Sequence, residues 1–239
     1  MFARWPGRGS ARRGESMSKH LQRDLEALEQ RLLAQSSVVE DMIAKSCRAL
    51  REHCSGLAAE VVRLERRVDE EEIHIEEDCL KILALHQPVA VDLRRTATIL
   101  KINSDLERIA DLAVNIAERS ESIATHIDLT IPAALDRMAQ LTIAMVREAI
   151  DAFVKLSVRM ARDVCQRDED VDQLNREAIE ELQAAIRSRP ELVEPCLHLF
   201  SASRHIERIG DHATNIAEDV IYLVQGEIAR HQYETGTTA

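Results

Sequence analysis

The sequence predicts an all-α fold in which an antiparallel three-helix bundle is duplicated in tandem. Of the 239 residues, 45% are hydrophobic and 31% are charged, as in a soluble globular protein. Only 3% are aromatic and seven are glycine, which argues against a sheet-rich fold. The stretch ERIADLAVNIAE at 107–118 returns as ERIGDHATNIAE at 207–218, with nine of twelve positions identical. A repeat after one hundred residues indicates two copies of one structural unit.

Three long periodic segments make up the first predicted bundle. The first helix is expected over 18–53, where leucines and other apolar residues form one continuous stripe. Gly56 is expected to end this helix. A second helix is predicted over 57–85 and stops before Pro88, which suits the first turn of a third helix that continues to about residue 125.

The same pattern repeats in the second half. Pro132 opens a helix that is predicted to reach about residue 164, and a second helix covers 168–187. The last helix is expected from near Pro190 to about residue 230. Long helices joined by short turns lie antiparallel to their neighbours, which predicts a bundle in each half. A coiled-coil filament or dimer is the alternative, but the interrupting prolines and the repeat favour a compact tandem.

The ends of the chain differ from this helical region. Residues 1–16 contain four arginines, three glycines and a proline without helical periodicity, and they lack the apolar core of a secretory signal. They are therefore predicted to form a disordered leader. The two bundles are then expected at 17–126 and 132–231, followed by a frayed terminus from Tyr233.

Charge and cysteine content limit the classes of function. The 42 acidic and 31 basic residues give a net charge of -11, which would repel a phosphate backbone, so no nucleic-acid partner is expected. No apolar run approaches the ~20 residues needed to cross a bilayer. The five cysteines form no C-x-x-C pair and are interpreted as reduced, mostly buried thiols of a cytoplasmic protein.

Each half carries two pairs of acids spaced four residues apart, one pair on its second predicted helix and one on its third. Residues at this spacing lie ~40° apart around a helix, so that both acids of a pair project from one face. In the first half these acids are Glu65, Asp69, Glu107 and Asp111. In the second half they are Asp168, Asp172, Glu207 and Asp211.

These repeated acids predict metal binding. Like charges at this spacing destabilise a helix by about 0.2–0.5 kcal/mol per pair, and few cations stand three or four residues away. Carboxylates from two helices, with Asn115 or Asn215 one turn on, form an all-oxygen environment that suits magnesium, manganese, calcium or iron and tolerates zinc. Bridging carboxylates could hold more than one ion. A merely solvated face is the alternative, but it gives no physical reason for both halves to keep the same acids.

An enzyme built on a carboxylate-bridged di-iron centre is the rival interpretation. It would need two Glu-x-x-His pairs that face inward, and the chain offers only Glu71 with His74. His212 stands beside Asp211, but its counterpart is Leu112, so it is interpreted as a surface or packing histidine. No Ser/His/Asp arrangement, glycine-rich phosphate loop or nucleophilic cysteine is evident.

The motifs resemble those of the PhoU family, regulators of bacterial phosphate uptake. The resemblance is carried by QPVAVDLR at 87–94, LERIAD at 106–111 and HIERIGD at 205–211, and it extends over about residues 17–230. The P-x-A-x-D-L-R stretch has no counterpart in the second half. Within it, Arg94 is expected either to brace nearby acids or to pair with the helix start at Asp92, and the second interpretation is favoured.

The resemblance implies a cytoplasmic, non-enzymatic adaptor and negative regulator of phosphate signalling and transport, expected to form a homodimer. Its implied partners are the ATPase subunit of a phosphate ABC transporter and a phosphate-sensing histidine kinase, so that it would be peripheral to the membrane only through them. In the family, acid-x-x-x-Asp motifs bind metal clusters, and the eight acids above match those positions. An accessory role for another anion transporter also fits the predicted bundles.

Overall fold

The computed structural model describes residues 10–126 and 129–226, with side chains from residue 19 onward. Three helices form the first half: α1 (Ser10–Glu52), α2 (Ser55–His86) and α3 (Ala90–Ile123). The second half contains α4 (Ala133–Lys155), α5 (Val158–Gln166), α6 (Asp168–Ser188), a short 3-10 helix (Pro190–Leu192) and α7 (Val193–Gln225). The described residues contain no β-strand, and the predicted all-α tandem of two three-helix bundles is confirmed.

The two halves correspond residue by residue in their buried positions. Leu32 and Met42 of α1 correspond to Leu135 and Met145 of α4, which lie 103 residues later, and all four are buried. α2 corresponds in the same way to α5 and α6 together. The third helices correspond with a displacement of one hundred, as the repeat predicts. The two halves therefore repeat not only the acidic motif but also the positions of the buried core residues.

The third helices join the halves, since α3 and α7 pack along each other. They are antiparallel: Lys101 near the beginning of α3 forms an ion pair of 2.6 Å with Asp219 near the end of α7. Arg94 donates a hydrogen bond of 3.3 Å to the backbone oxygen of Leu223, so the predicted pairing of Arg94 with the helix start at Asp92 is wrong. Arg94 instead binds one of the carbonyl oxygens left without a helical partner at the end of α7.

The predicted single helix over 132–164 is also wrong. α4 ends at Lys155, Leu156 takes a left-handed conformation with a φ of 48°, and Ser157 begins a new helix by accepting a hydrogen bond from the Met160 amide. A serine at this position stabilises a helix start. α5 then continues into α6 with a bend at Arg167, and the second helix of this half therefore begins ten residues before the predicted Asp168.

The first half turns at the equivalent place. His53 has a φ of 50°, and Gly56, which was expected to end the first helix, lies inside the first turn of α2. Neither turn uses a glycine or a proline. Glycine and proline, which usually mark turns in a sequence, therefore did not indicate either turn. The positions of the turns follow from the packing of the helices on each side.

The remaining boundaries differ by a few residues from those predicted. α1 begins at Ser10, inside the predicted leader, where Ala11, Arg12 and Arg13 favour a helix. Residues 1–9 and the predicted terminus from Tyr233 lie outside the described residues. Pro88 precedes α3 instead of opening its first turn. Between residue 10 and residue 226, no described helix is long and apolar enough to cross a membrane.

The five cysteines are free thiols. Cys79 and Cys196 are buried, and the others are partly buried. Burial raises the pKa of Cys47, Cys79 and Cys165 to about 12, so that these thiols stay protonated and unreactive at neutral pH.

Candidate functional site

The four acids predicted in the first half lie next to one another across α2 and α3. Partial burial and then the charges of Asp69 and Asp111 raise the pKa of Glu65. Burial and then Asp69 likewise raise the pKa of Asp111, while a hydrogen bond from Glu107 opposes this rise. Carboxylates on the two neighbouring helices therefore lie close enough to repel one another.

The sequence interpretation missed a fifth acid, Glu72. Burial makes the largest contribution to the raised pKa of Glu72, and the charges of Glu76, Asp69 and Asp111 contribute less. Glu72 lies three residues after Asp69 on α2, a spacing that places both on one helix face and that could have identified it. The Glu72 backbone oxygen accepts a hydrogen bond of 2.9 Å from the side chain of Asn103, which fixes this turn of α2 against α3.

The first-half cluster, defined as Glu65, Asp69, Glu72, Glu107 and Asp111, has no internal counter-charge. Within the described part of the chain, none of its five carboxylates forms an ion pair with a lysine, arginine or histidine. Arg66 and Arg108 lower the pKa of Glu65 and Glu107, but burial and the neighbouring acids outweigh them. The repulsion inside this cluster is therefore only partly compensated.

The second-half cluster, defined as Asp168, Asp172, Glu207 and Asp211, forms where α6 begins beside α7. Asp168 is the first residue after the bend at Arg167, so the bend positions its carboxylate. Burial and then the charges of Asp211, Asp172 and Glu207 raise the pKa of Asp168 to about 6. This acid is consequently part-protonated near neutral pH.

Unlike the first, the second-half cluster carries its own cation. Arg204, one turn before Glu207 on α7, forms an ion pair with that carboxylate. Burial raises the pKa of Asp211, while the neighbouring His212 and then the charges of Arg204 and Arg208 oppose the rise. The two clusters therefore share their positions but not their charge balance.

Neither cluster is a preformed metal site. Among the residues the structure describes, no group of three or more His, Cys, Asp or Glu side chains is arranged to hold one ion. The chemistry of the side chains nevertheless suits a hard cation, because carboxylate oxygens are its preferred ligands and a positive charge would relieve their mutual repulsion. The residues fit a metal by type and by electrostatics, without a ready ligand sphere.

The Glu-x-x-His pair of the di-iron alternative lies apart from these acids. Glu71 accepts a hydrogen bond of 2.7 Å from Arg31 of α1, and His74 lines a cavity between α1 and α2. Both side chains therefore lie on the side of α2 that faces α1, whereas Glu65 and Asp69 lie on the side that faces α3. The pair supplies no histidine to either acid cluster.

His212 has a structural role across the two halves. It is 8% exposed, and its Nδ1 lies 2.8 Å from the Oδ1 of Asp105, which is 9% exposed. Of the two roles expected for His212, at the surface or in packing, the structure shows the packing role. Its partner was not predicted, because Asp105 lies on the other half and no spacing along the sequence links the two residues.

Comparison with known proteins gives a consistent match along the chain. The family model for the PhoU domain matches residues 32–120 and again residues 135–220. A phosphate-specific transport system accessory protein PhoU homolog of Pseudomonas putida is 36% identical over 228 residues, covering 91% of this chain and 87% of that protein. The homolog so named in Aquifex aeolicus is 36% identical over 211 residues, covering 88% of this chain and 96% of that protein.

Two solved structures have the same fold. The crystal structure of PhoU from Pseudomonas aeruginosa superposes with a TM-score of 0.81 at 37% identity, covering 86% of this chain and 99% of that one. The phosphate transport system regulatory protein PhoU from Streptococcus pneumoniae gives a TM-score of 0.82 at 26% identity, covering 87% and 99%.

Proposed function

Because this chain belongs to the PhoU family, we propose that it is a regulatory accessory protein of a phosphate-specific transport system. The observation that carries this proposal is the match over both halves to relatives that bear that name. In this role the protein is a non-enzymatic adaptor and a negative regulator. It restrains phosphate uptake and the phosphate-starvation response when phosphate is ample.

The proposed partners are the ATPase subunit of the transporter and a phosphate-sensing histidine kinase. The protein acts in the cytoplasm as a homodimer and reaches the membrane only through these partners. Its net charge of -11 supports encounter with basic partner surfaces, since complementary charge mainly governs encounter and orientation.

Metal binding at the two acid clusters belongs to the same proposal. In the first half Glu65, Asp69, Glu107 and Asp111 would hold the metal, and in the second half Asp168, Asp172, Glu207 and Asp211 would hold it. A divalent or trivalent ion such as iron, zinc, manganese or magnesium supplies positive charge to each cluster, singly or as a multinuclear group. The raised pKa values of Glu65, Glu107, Asp168 and Glu207 support the proposal, because burial and neighbouring acids contribute to each of these rises.

A bound ion would stabilise the packing of the two helices that supply each cluster. Each cluster draws its carboxylates from two helices of one bundle, so that neutralising it favours their close approach. A carboxyl that holds a proton must lose it to water before the carboxylate can bind a metal. Metal binding therefore weakens at acid pH. The proposed consequence is a docking surface whose charge and rigidity depend on metal occupancy.

Deletion of the gene tests the regulatory role. In phosphate-rich medium we expect whole-cell phosphatase activity to rise in the deletion strain and to return to the parental level when the wild-type chain is supplied. Strains starved of a different anion provide the control for an accessory role in another transport system. An unchanged phosphatase response in phosphate-rich medium would contradict the proposal.

Elemental analysis of the purified protein tests the metal separately. A variant with Asp111→Ala and Asp211→Ala should retain less metal than the wild-type chain after the same dialysis. If both proteins retain equal amounts, the eight acids are not the site, and the regulatory proposal can still hold on the result of the deletion experiment.

A further inference from the structure

A groove of about 330 Å³ lies between α3 and α7, beside the ion pair of Lys101 with Asp219. Its lining also includes Asp105 and Arg108 from α3 and Glu218 from α7. Two basic and three acidic side chains therefore line this groove, which we call the acidic groove. A groove with this balance of charge does not attract an anion.

The duplication brings a second set of side chains together at the opposite ends of α3 and α7. The two helices are antiparallel and repeat each other after one hundred residues, so each residue of the acidic groove has an equivalent on the other helix. Five of these equivalents form what we call the basic cluster: Glu118 and Arg119 of α3 with Arg204, His205 and Arg208 of α7. Arg208 follows Arg204 by four residues and His205 by three, and these spacings place all three side chains on one side of α7.

The basic cluster reverses the charge of the acidic groove. His205 and Arg119 stand where the acidic groove has Asp105 and Asp219. The basic cluster therefore contains three guanidinium groups and a single carboxylate, in a chain whose net charge is -11. Packing does not require this positive charge, since the same fold accepts acids at the equivalent positions.

The guanidinium groups of both helices lie close to the imidazole of His205. Burial and then the charges of Arg119 and Arg208 lower the pKa of His205, and the charge of Glu118 opposes only part of this effect. The Ser201 hydroxyl lies 3.3 Å from the Nε2 of the same imidazole. The basic cluster thus spans α3 and α7, and its positive charge exceeds the negative charge of its one carboxylate.

Arg119, Arg208 and Glu118 are accessible to a ligand. The side chains of Arg119 and Glu118 are 31% and 53% exposed, and their ion pair of 3.1 Å joins chain neighbours in contact with water, so that it contributes little. Arg208 is exposed and, in the part of the chain that the structure describes, forms no ion pair. Arg204 is engaged by Glu207. Two guanidinium groups and one carboxylate therefore remain for a ligand.

We propose that the basic cluster binds inorganic phosphate, with Arg119 and Arg208 as donors and Glu118 as an acceptor. The fork of N–H groups on a guanidinium fits the oxygens of a phosphate. At neutral pH phosphate keeps a proton on one oxygen and can donate it to the Glu118 carboxylate, whereas sulfate has no proton to donate and is repelled. A site that pairs with a ligand hydroxyl rejects the analogue that lacks it. The choice of the free anion rests on the proposed function, since a protein that restrains phosphate uptake would respond to phosphate itself.

Isothermal titration of the full chain with inorganic phosphate, in buffer containing a chelator, tests this proposal. We expect saturable binding of phosphate and at least about tenfold weaker binding of sulfate. Arg208→Gln should weaken phosphate binding at least about tenfold. The matched variant Arg108→Gln changes the equivalent residue of the acidic groove and should leave phosphate binding unchanged. Both arginines are exposed, so both variants are expected to fold.

Two further titrations examine the selectivity. Glu118→Gln should lose most of the preference for phosphate over sulfate, because an amide neither repels sulfate nor requires a donor. Glucose 6-phosphate should bind more weakly than inorganic phosphate, and tighter binding of this ester would overturn the assignment to the free anion. Equal effects of Arg208→Gln and Arg108→Gln, or equal binding of phosphate and sulfate to the wild-type chain, would overturn the proposal. The deletion experiment judges the regulatory role separately, and the chelator separates phosphate binding from metal at the acid clusters.

Discussion

The acid clusters of the two halves occupy equivalent places but balance their charges differently. In the first half, Glu72 adds a fifth carboxylate where the second half has Asn175, and Ser104 stands where the second half has Arg204. Arg204 pairs with Glu207, whereas no ion pair reaches the first-half cluster within the described residues. The two halves therefore share the positions of the acids but differ in how much external positive charge each cluster needs.

This difference predicts unequal metal binding. A cluster of five carboxylates without a paired cation attracts a divalent ion more strongly than a cluster of four that already contains an arginine. We therefore expect the first half to bind the tighter ion. Substitutions that exchange the differing residues between the halves can establish or refute this ranking.

The largest effect is expected from removing two charges of the first-half cluster. Asp69→Asn with Asp111→Asn should weaken manganese binding by at least about 100-fold at the tighter site, since two carboxylates are replaced by neutral amides of similar shape. Titration calorimetry of chelator-treated protein measures this change. The matched variant, Asp172→Asn with Asp211→Asn, should leave the tighter site intact. Equal effects of the two double variants would refute the ranking.

The next effect concerns the buried pair that joins the halves. His212→Leu introduces the residue found at the equivalent position 112 and leaves the Asp105 carboxylate without its buried partner. We expect the free energy of unfolding to fall by about 2 kcal/mol, as measured in urea. Asp105→Leu combined with His212→Leu should recover part of the loss. A neutral effect of His212→Leu alone would mean that Asp105 is solvated.

A smaller effect is expected from exchanging the cation. Arg204→Ser should strengthen manganese binding in the second half by about tenfold, because it frees Glu207 and removes a positive charge. Ser104→Arg should weaken binding in the first half by a similar factor. Metal titrations of the two single variants and their combination measure both changes. If neither variant alters affinity, Arg204 does not set the difference between the clusters.

The smallest effect is a pH dependence of the metal-free protein. The pKa of Asp168 is about 6 in the fold, above its ordinary value of 3.8, so the folded state holds this proton more tightly than the unfolded chain. The resulting stabilisation is complete below about pH 4 and is lost as the pH rises through about 6. Asp168→Asn should therefore raise the melting temperature at pH 7 by about 2–4 °C and have little effect at pH 4. A larger rise at pH 4 than at pH 7 would contradict this assignment.

Much of the fold and of the acid pairs could be predicted from the sequence. Helix periodicity located α2, α3 and α6 within a few residues, and the repeat placed Glu107 and Asp111 in register with Glu207 and Asp211. These predictions succeed because the direction of a side chain on a helix depends only on residues one or two turns away.

The turns could not be predicted in the same way. His53 and Leu156 adopt left-handed conformations without the glycine that such conformations favour, so composition gave no warning of either turn. Their positions are fixed because each bundle packs its helices in the same register. The sequence carries that register only as buried positions that recur 103 residues apart, as Leu32 and Leu135 do.

The sequence by itself determined that there are two helical copies and that each presents acids on two helices. Only the tertiary structure decided which charges meet across helices: Lys101 of α3 with Asp219 of α7, and Asp105 of α3 with His212 of α7. The physical reason is that periodicity is a property of a single helix. A contact between helices depends on their relative rotation and displacement, which the packing of the whole core sets.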